Sequence, residues 1–594
     1  MKKLGVWLNK YFLSVWAVFL LFFIPLYPKL PLLDILPGYI VRIRLEDFFI
    51  AFAWLLLAYQ LIKQRIQLKK APLFKPIAIY LIIGFLSCLS ALFITKTVPL
   101  ELIHAGKLWL HYFRRIEYFS LFFIFYFGFK ALPKKWQARA YFPLLPILLI
   151  VALYGFGQKY FYWPVYLTMN REFSKGMKLY LTEHARVSST FGGHYDLAAF
   201  LVILLPLILA LFYAVSKKLL KLAFLLGFSA GFWLLILTAS RTSFIAYLAS
   251  VGIFFFLMAI KKGFKWSLLR GGLVIFLSIF IMLFFGDLSS RYAHFVSGIK
   301  KYPGICFTVE PKEAKEAELI AKPVLPGGAI LEKEEDKTKT ASESAVCRAL
   351  IRVNEKINLE KLAELIQKAK QSKLVAWLKP KPKKPDASQV VTKTDEVPVP
   401  VRPLPPDVYE DIPLYPTASP SAESAIATAT LTPAPAPVGR TYSDNAYKYG
   451  LSAAIRLDAL WPLAWEGFER NPLLGSGYST LTKVKPTDFT EAESTDNDYL
   501  RMLGETGLLG SLSFLAIFGV VCYQAWQSLI HSRHVYDQLM AGAIIALVVG
   551  LLINAVYIDI FEASKVAYML WAVVGIFFAT RAKLKINPPT GGKR

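Results

Sequence analysis

At 594 residues, with 55% hydrophobic and 15% aromatic residues but only 18% charged, the chain is too apolar for a water-soluble protein of its size. Its net charge of +27 would suit a nucleic-acid binder, but the basic residues cluster in short turns between apolar runs. That distribution argues against a nucleic-acid partner and matches the positive-inside pattern of a multi-pass protein whose partner is the lipid bilayer.

Lys2, Lys3 and Lys10 precede an apolar run that reaches Tyr27. The stretch resembles the first two regions of a signal peptide but has no small-x-small cleavage site, so it is expected to be a retained first span. Further apolar runs lie near 47–62, 75–95, 116–132, 141–157, 197–215, 222–238, 244–260, 271–286, 507–527, 538–558 and 565–580. The expected fold is therefore an all-α polytopic membrane protein with about 12 spans of roughly 17–22 residues. Basic clusters follow the even-numbered spans: Lys63 to Lys70, Lys134 to Arg139, Lys217 to Lys221, Lys261 to Arg270, Arg533, and Arg581 to Lys585. All fall on the side of the N-terminus, which predicts a cytoplasmic-membrane protein with both termini cytoplasmic.

Residues 1–287 would then hold spans one to nine, and 288–505 a large extracytoplasmic loop. Residues 506–580 would hold spans ten to twelve, and 581–594 a basic cytoplasmic tail. Within the loop, 300–438 reads as an insertion. It is expected to include an amphipathic helix over 350–378, with Leu359, Leu362, Leu365 and Ile366 at helical spacing. It ends in a Pro-, Ala-, Ser- and Thr-rich linker over 397–438. Aromatic and apolar residues return over 439–505, which is expected to fold against the membrane core. Cys88 and Cys522 lie in apolar spans as small core residues. Cys306 and Cys347 lie in the loop, where an oxidising compartment would permit a disulfide.

Ser494-Thr-Asp-Asn-Asp-Tyr-Leu-Arg-Met-Leu-Gly-Glu-Thr-Gly-Leu-Leu-Gly510 reads as a polar helix start running into a span. Thr495 is the expected cap, with Asp498 completing a capping-box-like pair. Asn497, Arg501 and Glu505 follow at four-residue spacing and share one helix face, which is costly near a membrane unless it lines a site. Upstream stands Arg470-Asn-Pro-Leu-Leu-Gly-Ser-Gly-Tyr478, whose Gly475 and Gly477 permit tight turns.

Three further features are expected on the same outer side: Arg186-Val-Ser-Ser-Thr-Phe-Gly-Gly-His-Tyr-Asp196, Thr238-Ala-Ser-Arg-Thr-Ser243, and the pair Arg456 and Asp496. Arginine suits forked binding of phosphate. Snorkelling to headgroups is the plainer role for Arg241 and Arg470. Asp496, Asp498, Glu505 and His194 are candidate bases. Their plainer roles are a helix cap for Asp498, an ion pair with Arg501 for Glu505, and a loop hydrogen bond for His194. No Cys/His cluster has metal-ligand spacing and no phosphate-cradling loop is present.

The order of these motifs, with Arg42-Ile-Arg-Leu-Glu-Asp47 near the start, resembles the O-antigen ligase and polymerase superfamily. The resemblance covers nearly the whole chain except about 300–438. It implies an extracytoplasmic membrane glycosyltransferase, free of metal and nucleotide cofactors. Such an enzyme moves a glycan from a polyprenyl-diphosphate carrier to a lipid, protein or glycan acceptor. It further implies that Arg241 and Arg456 bind the diphosphate and that Asp496, where well-studied ligases carry histidine, is the base. Arg186, His194, Asn497, Arg501, Glu505, Gly475 and Gly477 would surround the substrate. Ligase and polymerase stay open as alternatives. A small-anion transporter, which would bury charges at mid-span, and a non-catalytic scaffold are rival classes.

Overall fold

The computed structural model describes residues 2–34, 42–168, 173–182, 185–285, 445, 451–481 and 494–581. The 300–438 insertion, Cys306, Cys347, the 350–378 helix and the basic tail beyond Arg581 lie outside the described residues. All described residues except Leu283–Phe285 belong to one compact unit.

Among the described residues the regular structure is helical apart from an isolated Val165–Leu179 bridge and a small antiparallel ribbon, β1 (Pro31–Asp34) paired with β2 (Arg42–Arg44). The first helices are α1 (Lys2–Leu26), α2 (Leu45–Ile62), α3 (Phe74–Leu89), α4 (Leu102–Ala131), the single turn α5 (Lys134–Gln137) and α6 (Leu144–Tyr160). A π-turn over Ser90–Ile94 extends α3. They are followed by α7 (His194–Ala214), α8 (Lys218–Leu237), α9 (Arg241–Lys262) and α10 (Phe264–Phe285). After the undescribed stretch come the short α11 (Leu451–Ile455) and α12 (Trp461–Arg470), then α13 (Asp498–His531), α14 (Val535–Asn554) and α15 (Ser564–Thr580).

Among the described residues, 8 helices are long and apolar enough to cross a membrane: α2, the extended α3, α7 to α10, α13 and α14. Tyr11–Leu26, α6 and α15 are shorter apolar helices. The chain is an α-helical, multi-pass membrane protein.

Burial separates the core helices from the rim. The apolar window of α7 is 83% buried, whereas that of α10 is 22% buried and leaves Leu269 and Phe276 exposed. A helix apolar all round, as α7 is, belongs at the centre of the bundle. Helices α4 and α15 lie against each other closely enough that a Cβ added to Gly575 would come within 2.8 Å of the Phe122 carbonyl oxygen. Small residues at such contacts are how membrane helices gain packing.

Two helices differ from expectation. The span anticipated at 116–132 is the second half of α4, which begins at Leu102 and so carries His111, Arg114, Arg115 and Glu117 within a continuous helix. Helix α13 does not run unbroken into its apolar half, because Gly507 breaks it with φ 66° and ψ −166°.

Candidate functional site

The break at Gly507 organises one end of the bundle. Backbone N–H groups freed by a broken membrane helix need partners, and the Asn-Pro-Leu-Leu-Gly loop supplies them. Leu508 N–H donates to the Pro472 carbonyl at 2.9 Å and Leu509 N–H to the Leu473 carbonyl at 3.2 Å. In return Ser476 N–H reaches the Gly504 carbonyl at 2.8 Å and Gly477 N–H the Glu505 carbonyl at 3.0 Å. The Asn471 side chain holds the loop's turn, accepting from Leu473 N–H at 3.2 Å and Leu474 N–H at 3.1 Å.

Gly475 has φ 71°, and a Cβ there would lie 2.4 Å from the Glu505 carbonyl carbon. Gly477 has φ 97°, with Ala91 Cβ at 2.4 Å from an added Cβ. Both glycines, expected among the substrate-binding positions, are buried; Gly475 serves the approach of the loop backbone to that of α13, and Gly477 the packing of the loop on Ala91 and Leu108.

The start of α13 is tied down by a residue that lies outside all of the sequence motifs. Asp559, in the turn after α14, accepts from Ser494 Oγ at 2.9 Å, Thr495 N–H at 3.0 Å and Thr495 Oγ1 at 3.1 Å. It also accepts from Asn497 N–H at 2.7 Å. Thr495 is therefore not the helix cap. That place belongs to Asn497, whose Oδ1 accepts from the N–H groups of Tyr499 and Leu500, each at 3.0 Å. The Asn497 side-chain oxygen is in this way committed to the start of the helix. Asp498 forms no capping box either. Its carboxylate turns inward to accept from Ile560 N–H at 2.8 Å and Phe561 N–H at 3.3 Å.

Arg501 and Glu505 share a face as expected, and both are buried. Their Nε to Oε1 distance is 3.3 Å. Arg501 also meets Asp559 at 3.0 Å and Glu562 at 3.5 Å. Glu505 accepts from Ser479 N–H at 2.9 Å and faces Arg115 at 3.9 Å. Arg115, from α4, pairs with Glu562 and lies over the Tyr478 ring at 5.7 Å. Each buried charge here thus has an opposite charge beside it, as its desolvation requires. Arg501 and Glu505, expected to touch substrate, sit beneath the surface as the scaffold of the site.

Arg456 and Asp496 occupy the rim. Arg456 lies in a π-helical turn, Arg456–Leu460, between α11 and α12. Such turns often mark functional positions. Its Nη2 is 2.8 Å from Asp496 Oδ2, its Nη1 donates to Ser452 Oγ at 2.7 Å, and its guanidinium stands over the Tyr557 ring at 4.1 Å. Arg456 is 4% exposed, and its Nε–H has no hydrogen-bond partner among the described residues. The Asp496 side chain keeps 34% of its surface in the open. It is held at φ 50°, a left-handed conformation, by a local bond from Ser494 Oγ to its carboxylate at 2.9 Å. Burial raises the Asp496 carboxyl above the usual carboxylate value; Arg456 opposes that rise and Asp559 adds to it.

No family model matches the chain, and no curated protein matches it.

The remaining motifs meet the same end of the bundle through hydrogen bonds. Val187 N–H donates to the Leu237 carbonyl at 3.2 Å, joining the Arg186 segment to the turn before Arg241. Ser243 Oγ donates to Asn554 Oδ1 at 3.1 Å, joining that turn to the end of α14. Asp498 N–H then reaches the Ala555 carbonyl at 2.9 Å. Arg241 is the exposed first residue of α9. Arg186 donates to His194 Nε2 at 2.7 Å and to Tyr195 Oη at 3.4 Å. Arginine can only donate, so His194 Nε2 is the acceptor in this contact.

Beneath this segment Lys29 pairs with Asp196 at 3.4 Å, and burial pulls its ammonium below the usual lysine range. Lys565, fully buried, donates to the carbonyls of Thr190 and Tyr27. Lys29, Arg115, Tyr557, Asp559, Glu562 and Lys565 were not among the expected site residues. For all but Tyr557, a charge flanking or inside an apolar run was the available signal.

Proposed function

We propose that the chain is a membrane glycosyltransferase that moves a glycan from a polyprenyl-diphosphate carrier to an acceptor hydroxyl. The proposal rests on one observation. At a bundle end shared with the exposed Arg241, a buried arginine whose Nε–H has no partner among the described residues is ion-paired to a partly open carboxylate. Arg456 presents donors in a fork suited to a diphosphate oxygen, and Arg241 adds a second cation. Arrival of the diphosphate exchanges Arg456 from Asp496 to phosphate and frees the carboxylate. The acceptor oxygen then attacks the anomeric carbon, and its proton passes to Asp496. The bond from that carbon to the diphosphate breaks with its electron pair leaving on phosphate, where the arginines stabilise the charge.

With the resemblance to O-antigen ligases and polymerases, the rest of the arrangement follows as part of the proposal. It comprises about 12 spans, the cytoplasmic membrane of a bacterium, both termini in the cytoplasm and the site outside. The bundle end that gathers all the motif residues is the end opposite the basic turns, which supports that orientation.

The test is transfer by purified protein given a polyprenyl-diphosphate-linked glycan and a choice of lipid, protein and glycan acceptors. Product on a lipid or protein identifies a ligase, and a ladder of glycan lengths on the carrier a polymerase. Arg241→Ala and Arg456→Ala should each all but abolish transfer in protein that remains folded in the membrane. Unchanged turnover in both variants overturns the roles. The buried charges of α4 also suit a small-anion transporter, so no turnover of any carrier-linked donor by folded protein would favour transport.

A further inference from the structure

At the other end of α7 to α10, away from Asp496, lies an open cleft lined by Lys221, Lys262 and Arg270 together with Tyr213 and Trp266. Helices of 20 to 22 residues separate the two ends, which at 1.5 Å per residue is roughly 30 Å. The three cations come from three different helices: the first turn of α8, the last residue of α9 and the second turn of α10. By contrast Lys134, Lys135 and Arg139 stand exposed on and just after the short helix α5. Among the described residues, none of Lys221, Lys262 and Arg270 forms an ion pair.

The cleft is built from packed aromatic side chains. The Arg270 guanidinium lies over Trp266 at 4.7 Å. Trp266 in turn packs edge-on against Tyr213 at 5.0 Å and lies 6.1 Å from Phe255. A Cβ on Gly271 would come within 2.9 Å of Phe255, so α9 and α10 are held close beside the Gly263 turn. Arg270 is thus pre-set, which lowers the entropy lost when it binds an anion.

Converging, unneutralised cations above an aromatic floor recognise a phosphate group. Two sources share that chemistry: a lipid headgroup and free phosphate. The surroundings favour the lipid, because Phe264, Leu268 and Leu269 are exposed on the first turns of α10 and offer acyl chains an apolar track. Tryptophan and tyrosine at helix ends also belong to the headgroup level of a bilayer. We propose that this cleft binds the phosphate of an anionic phospholipid.

The test titrates full-length protein in mild detergent with phosphatidylglycerol, phosphatidylcholine or inorganic phosphate and follows its melting temperature. Phosphatidylglycerol should give a saturable upward shift that phosphatidylcholine and inorganic phosphate do not. The K221A/K262A/R270A variant should require roughly tenfold or more phosphatidylglycerol for the same shift, whereas K134A/K135A/R139A should respond as wild type. Equal shifts from the two lipids, or a triple cleft variant that keeps the full response, would overturn the proposal. A shift with inorganic phosphate alone that the cleft variant loses would overturn the lipid as the source.

Discussion

Arg501 Nη1 donates to Asp559 Oδ2 at 3.0 Å, and through this contact the first turn of α13 is fixed to the turn that follows α14. Asp559 simultaneously accepts from Ser494, Thr495 and Asn497, so one carboxylate sets the path of the backbone on both sides of Asp496. Asp496 holds its left-handed conformation and meets Arg456 between neighbours anchored this way, with Ser494 Oγ bonded to its own carboxylate as well. A residue in a sparsely populated backbone region persists where its surroundings over-determine it.

Replacing Asp559 should therefore disable the site without touching Arg456 or Asp496. Asp559→Ala leaves Arg501 short of a buried counter-charge and several N–H and O–H groups unpaired, a loss of about 3–5 kcal/mol. Asp559→Asn keeps part of the acceptor pattern and should cost less. In thermal unfolding the order of stability should be wild type, Asn, then Ala, with transfer activity lost in both variants. An Ala variant that melts and turns over like wild type would remove Asp559 from the account.

Much of this site was legible from local pattern. The glycines of the Asn-Pro-Leu-Leu-Gly-Ser-Gly loop announced a tight turn, and the four-residue spacing of Arg501 and Glu505 announced their pair. What local pattern could not carry is who pays the desolvation of each charge. A span placed from residue 116 stops just short of Arg114 and Arg115 because an isolated charge in lipid is expensive. In the fold those charges are offset by Asp47, Glu117, Glu505 and Glu562, most of them remote in sequence. Asp559 was hidden for a similar reason. Helix α14 ends at Asn554, a few residues before the apolar run does. The turn that follows acquires meaning only against α13.

The docking of loop on broken helix predicts unequal costs for equivalent glycine substitutions. Gly475→Ala and Gly507→Ala each place a Cβ 2.4 Å from a backbone carbon and require φ 71° and 66° of a residue with a side chain. The left-handed conformation alone costs about 1–3 kcal/mol, and the clash adds to it. Gly252, within α9, has nothing within 4 Å of an added Cβ. Gly252→Ala should stabilise by roughly 0.5–1 kcal/mol through helix propensity. Melting temperatures in one detergent would check the contrast. Equal effects at Gly475 and Gly252 would mean the loop does not pack on α13 as described.

Sidedness can be read by cysteine labelling in a cysteine-free background. Met177 lies between α6 and α7 at the Asp496 end, and Lys217 lies between α7 and α8 at the cleft end; both are exposed. A membrane-impermeant maleimide should label Met177→Cys in intact cells with the outer face accessible, and Lys217→Cys only after permeabilisation. The reverse pattern would put the arginines in the cytoplasm and end the case for a carrier-linked donor presented outside.

The pH dependence of transfer tests Asp496 as the base. A base works when deprotonated, so activity should rise with pH through the carboxyl's own pKa. Burial has moved that value upward from 3.8, which places the acid limb at a higher pH than an open aspartate would give. The sign of the Arg456 effect follows: its positive charge favours the ionised carboxylate, so it lowers the value that burial raised. In Arg456→Gln the residual activity should therefore show an acid limb displaced to still higher pH, whereas Arg470→Gln, at the exposed end of α12, should leave it in place. Asp496→Asn should lose activity and the limb together. An acid limb that stays fixed in Arg456→Gln would mean another group takes the proton, and Asp496 would then keep only its role as the partner that holds Arg456 until the diphosphate arrives.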